Sequence, residues 1–98
     1  MRLSKEEIEA IRRSFSETFQ NGVLYLFGSR VDDARKGGDI DLYIVPESHS
    51  DLAVKKIAFL VNLKKRIGEQ KIDVVIDRHK NRPIDSVAKQ EGILLWSA

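Results

Sequence analysis

Two aspartates separated by one residue sit in an otherwise apolar run, Asp39-Ile40-Asp41-Leu42-Tyr43-Ile44-Val45. Side chains along an extended strand alternate between faces, so Asp39 and Asp41 share one face and Ile40, Leu42 and Ile44 share the other. At the rise per residue of a strand their Cα atoms lie about 7 Å apart, and both carboxylates can reach one small cation. Held side by side without a counter-charge, such carboxylates repel each other and call for a cation. A divalent ion resolves that conflict, and magnesium suits hard oxygen ligands that share it with waters and phosphates. The segment Lys71-Ile72-Asp73-Val74-Val75-Ile76 repeats the design, with Ile72, Val74 and Ile76 on one face and Asp73 on the other. Paired beside the first acidic strand, it would bring Asp73 to Asp39 and Asp41. Three acids can hold two metal ions, an arrangement that clamps attacking and leaving oxygens in phosphoryl transfer.

Gly28-Ser29 closes an earlier apolar run, Val23-Leu24-Tyr25-Leu26-Phe27. A glycine there lets the backbone approach a phosphate closely. The following N–H groups and the Ser29 hydroxyl can hold a triphosphate, with Arg30 adding a cation. Each piece alone is weak, because a lone Gly-Ser is usually a turn and a lone Asp-x-Asp often a solvated strand edge. The combination at this spacing is far more specific.

The elements that must position these groups are legible from periodicity. Ser4 and Glu7 form a capping box, and Ile8, Ile11, Phe15 and Phe19 follow at helical spacing until Asn21-Gly22 breaks the helix. A strand over Val23–Phe27 leads to a polar stretch from Arg30 to Gly38, and a second strand spans Asp39 to Val45, closed by Pro46. A long helix starts near Ser48 or Ser50 and runs to Ile67, with Leu52, Ile57, Leu60, Val61 and Ile67 lining one side and Gly68 as its stop. Lys64-Lys65-Arg66 then read as a solvated, dipole-stabilising helix end. The third strand is Lys71–Ile76, and a last helix runs from about Pro83 to Glu91 before Gly92 and an apolar tail, Ile93-Leu94-Leu95-Trp96.

The short connection between strands one and two predicts an antiparallel pair, and the helical connection between strands two and three a parallel one. The fold class is therefore α/β: a small three-stranded mixed sheet with helices packed on it. Tyr43, on the carboxylate face, is expected to pack under the terminal helix, and Trp96 to pin the tail to the core.

With 98 residues the chain is expected to form a single domain over 1–98. Cysteine is absent, which excludes disulfides and thiolate catalysis. No apolar run reaches the roughly 20 residues that span a bilayer, and the charged first residues do not resemble a secretory signal, so a cytoplasmic location is expected. The net charge is only +2 with both signs interspersed, so nucleic acid is not indicated as a partner. So short a chain has little left over to recognise a macromolecular acceptor.

Phe27-Gly28-Ser29, nine intervening residues, then Asp39-Ile40-Asp41-Leu42 resembles the signature of the DNA polymerase β-like nucleotidyltransferase superfamily. The stretch GSRVDDARKGGDIDLYIV looks especially like the minimal nucleotidyltransferases of bacteria and archaea, and the resemblance covers nearly the whole chain. It implies the nucleotidyltransferase fold, with Asp39 and Asp41 binding magnesium ions, Asp73 completing the triad, and Gly28, Ser29 and Arg30 holding the triphosphate. It further implies in-line attack by an acceptor hydroxyl on the α-phosphorus of ATP, with Asp73 either taking the hydroxyl proton or only holding the metal. The implied partner is a helical HEPN protein, since some members act as antitoxins that add AMP to a tyrosine of a HEPN ribonuclease toxin. A homo-oligomer stays open. The competing reading is a binding module that keeps the metal and nucleotide site but works by covering a partner; intact acids at all three positions favour the enzyme.

Overall fold

The computed structural model describes residues 3–28, 39–78 and 82–97. Chain order is α1 (Lys5–Thr18), β1 (Gly22–Phe27), β2 (Ile40–Pro46), α2 (Leu52–Ile67), β3 (Ile72–Ile76), α3 (Pro83–Glu91) and β4 (Ile93–Ser97). The sheet order is β3-β2-β1-β4. β1 pairs antiparallel with β2 and with β4, and β2 pairs parallel with β3. Both pairings expected from connection length are present.

The sheet has four strands rather than three, because the apolar tail is β4. Its Leu94 and Ile93 pair with Tyr25 and Leu26 of β1, Trp96 pairs with Leu24, and the register shifts between Leu24 and Tyr25. Only Leu95 of this strand is fully buried, so the run carries no clean alternation from which an edge strand could be read. Gly92 permits the sharp entry from α3, because a Cβ there would overlap the Ala88 carbonyl oxygen. Trp96 packs, partly buried, against the core as expected.

α1 begins at the Ser4–Glu7 capping box, whose reciprocal hydrogen bonds measure 2.9 and 3.0 Å. It lays Ile11 and Phe15 against the sheet beside Phe59 and Leu63 of α2. Phe15 and Phe19 stack at 5.4 Å, and Phe59 meets both edge-on at 6.5 and 6.2 Å. These rings close the core over Leu24, Leu26, Ile40, Leu42 and Ile44, all without solvent exposure. The α2 face differs from its sequence reading. Leu52, Phe59 and Leu63 point inward, whereas Ile57 and Val61 point out with Val54. α2 is apolar almost all round, so periodicity alone could not choose the inward side. Nor is its basic end wholly solvated: Arg66 donates to the buried Ser14 hydroxyl at 2.9 Å and pairs with Glu17 at 2.8 Å, tying α2 to α1.

α3 covers the opposite face of the sheet, anchored through polar groups. Tyr43 is fully buried, and its hydroxyl donates to Asp85 at 2.8 Å. The same carboxylate accepts from the Arg82 backbone N–H at 2.8 Å and from its guanidinium at 3.0 Å. Lys89 reaches the buried Asp77 at 2.9 Å. The Arg82 hydrogen bonds hold the Asp85 carboxyl down at about 2, and burial with the carboxylate contact pushes the Tyr43 hydroxyl far up. Tyr43→Phe should cost about 1 kcal/mol, since Asp85 keeps its arginine donors. In a domain of this size that lowers Tm by roughly 4–8 °C, which a calorimetric melt would register. The Asp85 carboxylate favours the fold at all pH values above its ordinary 3.8, and that contribution is lost as pH falls towards about 2. Asp85→Asn protein should be less stable at neutral pH and should lack this acid-dependent component, measured by urea unfolding across that window.

Candidate active site

The antiparallel and parallel pairings of β2 together build the carboxylate face. Asp41 lies directly beside Asp73 in the parallel β2–β3 register and opposite Phe27 on β1. Asp39 immediately precedes β2, and Lys71 immediately precedes β3. The Ile40 N–H donates to the Lys71 carbonyl at 3.1 Å, and Lys71 Nζ lies 3.3 Å from Asp39 Oδ2. Tyr43, two residues on, gives this face an aromatic floor, with Tyr25 and Phe27 at 6.3 and 6.4 Å ring separation.

Asp41 carries the electrostatic tension. Its carboxyl is pushed above the ordinary carboxylate range, first by burial, then by the negative charges of Asp73 and Asp39, and then by a hydrogen bond with Asp73. Lys71 pulls the other way and does not offset them. Gly28 abuts the same carboxylate. Its φ is +79°, and a Cβ at this position would overlap Asp41 Oδ2. The backbone at the end of β1 therefore approaches Asp41 more closely than any side-chain-bearing residue would permit.

Asp39, Asp41, Asp73 and Gly28 thus come together on one side of the sheet; Ser29 and Arg30 lie outside the described residues. Among the described residues, no three acidic, histidine or cysteine side chains are already gathered in ligating geometry. Asp41 and Asp73 are the contacting pair, while Asp39 engages Lys71. That ion pair is exposed on both sides and holds its partners weakly. Two repelling carboxylates, a third tied only to an exchangeable ammonium, and an all-oxygen donor set fit a hard divalent cation.

Sequence reasoning passed over Lys71. Its place follows from the strand register: Ile40 pairs with Ile72, so the preceding residues, Asp39 and Lys71, start the two strands side by side. It also passed over the Asp77–Lys89 and Arg82–Asp85 pairs, whose members lie on separate elements or across a turn. The hollow lined by Lys5, Glu6, Glu9, Ala10, Arg13 and Arg66 lies against α1 and α2, away from the carboxylates.

The family described as Polymerase beta, Nucleotidyltransferase matches residues 9–98. The chain belongs to this nucleotidyltransferase family. Among solved structures it is similar to a chain from the crystal structure of an aspartate-to-glutamate double mutant of the toxin–antitoxin MntA-HpeT, with a TM-score of 0.74 and 16% identity over 93% of this chain and 73% of that one. At that identity the likeness speaks for the shared nucleotidyltransferase fold. No curated protein matches the chain. Among the described residues, no helix is long and apolar enough to cross a membrane.

Proposed function

We propose that the domain transfers a nucleoside monophosphate, AMP from ATP, to a hydroxyl of a partner protein, namely a tyrosine of a helical HEPN-type toxin that it neutralises. The observation that carries the reading is the place of Asp41, wedged between the Gly28 backbone and the Asp73 carboxylate. Family membership supports the reaction class, and the toxin–antitoxin neighbour supports the kind of partner.

In this reading Asp39, Asp41 and Asp73 hold magnesium. When bound, the metal supplies neutralisation of the triphosphate and acidification of the attacking hydroxyl. Asp73 is the more exposed of the contacting carboxylates, which supports its taking the proton of the incoming hydroxyl as well as holding the metal. Gly28 leaves room for the Asp41 carboxylate, and Ser29 and Arg30 hold the phosphates. The acceptor oxygen bonds to the α-phosphorus as the bond to pyrophosphate breaks, so the chain's own contribution is positioning.

The test uses two labels. With magnesium and a helical HEPN-type toxin supplied as acceptor, α-labelled ATP should mark the toxin and γ-labelled ATP should not. Chelation with EDTA should abolish the mark. Marking by the γ label would replace the proposal with phosphate transfer, and stable complex formation without either label would leave a binding module.

A further inference from the structure

From the outer face of α2 we infer a docking surface for an acid-bordered amphipathic helix of a partner protein. Val54, Ile57 and Val61 are 67%, 64% and 46% exposed. Their i, i+3, i+7 spacing puts them in one stripe, which Lys64 and Lys65 continue one turn further on. Isolated exposed aliphatics are ordinary on a protein surface, whereas an aligned row with a charged border marks a contact region. Leu52, Phe59 and Leu63 hold the other side of the helix in the core, so this stripe is presented rigidly.

The charge pattern selects the occupant. Lys64 and Lys65 flank the stripe at its C-terminal end, whereas Lys55 and Lys56 fall on other sides of the helix and Arg66 is paired with Glu17; α2 itself has no acidic residue. Two copies of α2 packed in parallel would oppose Lys64 and Lys65 directly, and in antiparallel orientation would set that pair against the single Asp51 at the helix start, so a second copy matches the two lysines less well than an acidic helix does. A membrane surface is disfavoured too. The stripe offers only valine and isoleucine, without the Trp, Phe or Leu anchors of interfacial helices, and α2 cannot leave the core to insert. A helix with an apolar ridge between Asp and Glu borders satisfies both features. α2 packs on the sheet face bearing Ile40, Leu42 and Ile44, opposite Asp41, so a docked helix leaves the carboxylate site open.

The probes are two stapled, fluorescein-labelled helical peptides sharing an isoleucine ridge, one bordered by glutamates and the other by lysines. The glutamate peptide should bind the whole chain and weaken about tenfold or more in Ile57→Ser and in Lys64→Glu protein, with unchanged circular dichroism and Tm. The lysine peptide should not bind. Equal binding of both peptides, or indifference to Ile57→Ser, would overturn the inference. So would a wild-type dimer in sedimentation that Ile57→Ser dissolves, or Ile57-dependent binding to phosphatidylglycerol–phosphatidylcholine vesicles in place of the peptide. Asp41→Asn protein should bind the peptide like wild type, so docking and transfer are read separately.

Discussion

Asp41→Asn protein is expected to lose transfer activity by roughly 100- to 1000-fold, the scale of removing one preorganised charge-stabilising group, and yet to melt at a higher temperature than the native chain in metal-free buffer. The opposed signs follow from one geometry. Without a cation, a carboxylate at this position is partly withdrawn from water and faces Asp73 and Asp39, which is why its pKa is raised. An asparagine removes the like charge, keeps the shape, and can donate its amide to Asp73. On the proposed reading the same exchange also removes an anion that would hold the divalent cation, so adding magnesium should raise Tm for the native chain and hardly at all for the variant. Calorimetry with and without magnesium, beside the labelled-ATP assay, reads both halves. A variant that melts lower than wild type would make Asp41 a structural residue, and one that still transfers label would remove it from the site.

Much of this was legible in the residues because each strand obeys a simple alternation. Ile40, Leu42 and Ile44 had to be buried together, which forced Asp41 to the opposite side, and Ile72, Val74 and Ile76 did the same for Asp73. Connection lengths then fixed which strands run parallel, and the parallel pairing put the two aspartates side by side. What stayed hidden depended on facts that no local pattern carries. The inward side of α2 was set by where α1 lies, since aliphatic residues occupy nearly every side of that helix. Strand β4 owes its existence to the free edge of β1 rather than to its own alternation. Lys71 required the β2–β3 register, and the Tyr43–Asp85 contact required the placement of α3. The fold was readable where burial imposes a period, and unreadable where one element's environment is another element.

Gly28→Ala should reduce activity by about 100-fold through Asp41 while lowering stability by about 1–3 kcal/mol, and the two effects have separable causes. The backbone at Gly28 holds φ at +79°, a conformation that costs a side-chain-bearing residue about that much wherever it occurs. The second cause is local: a methyl group there would displace the Asp41 carboxylate, whose Cγ would stand only 3.1 Å away. Misplacing a reacting geometry by about 1 Å costs on the order of 100-fold in rate. Gly68 supplies the control, because its φ is +87° and an added Cβ meets nothing within 4 Å. Gly68→Ala should therefore lose comparable stability and keep its activity. The coupling should also be visible in the double variant. With Asp41→Asn already present there is no carboxylate left to displace at that position, so adding Gly28→Ala should lower activity far less than it does alone. Equal activity losses in the two glycine variants, measured well below their melting temperatures, would reduce Gly28 to a turn residue and detach the end of β1 from the carboxylate face.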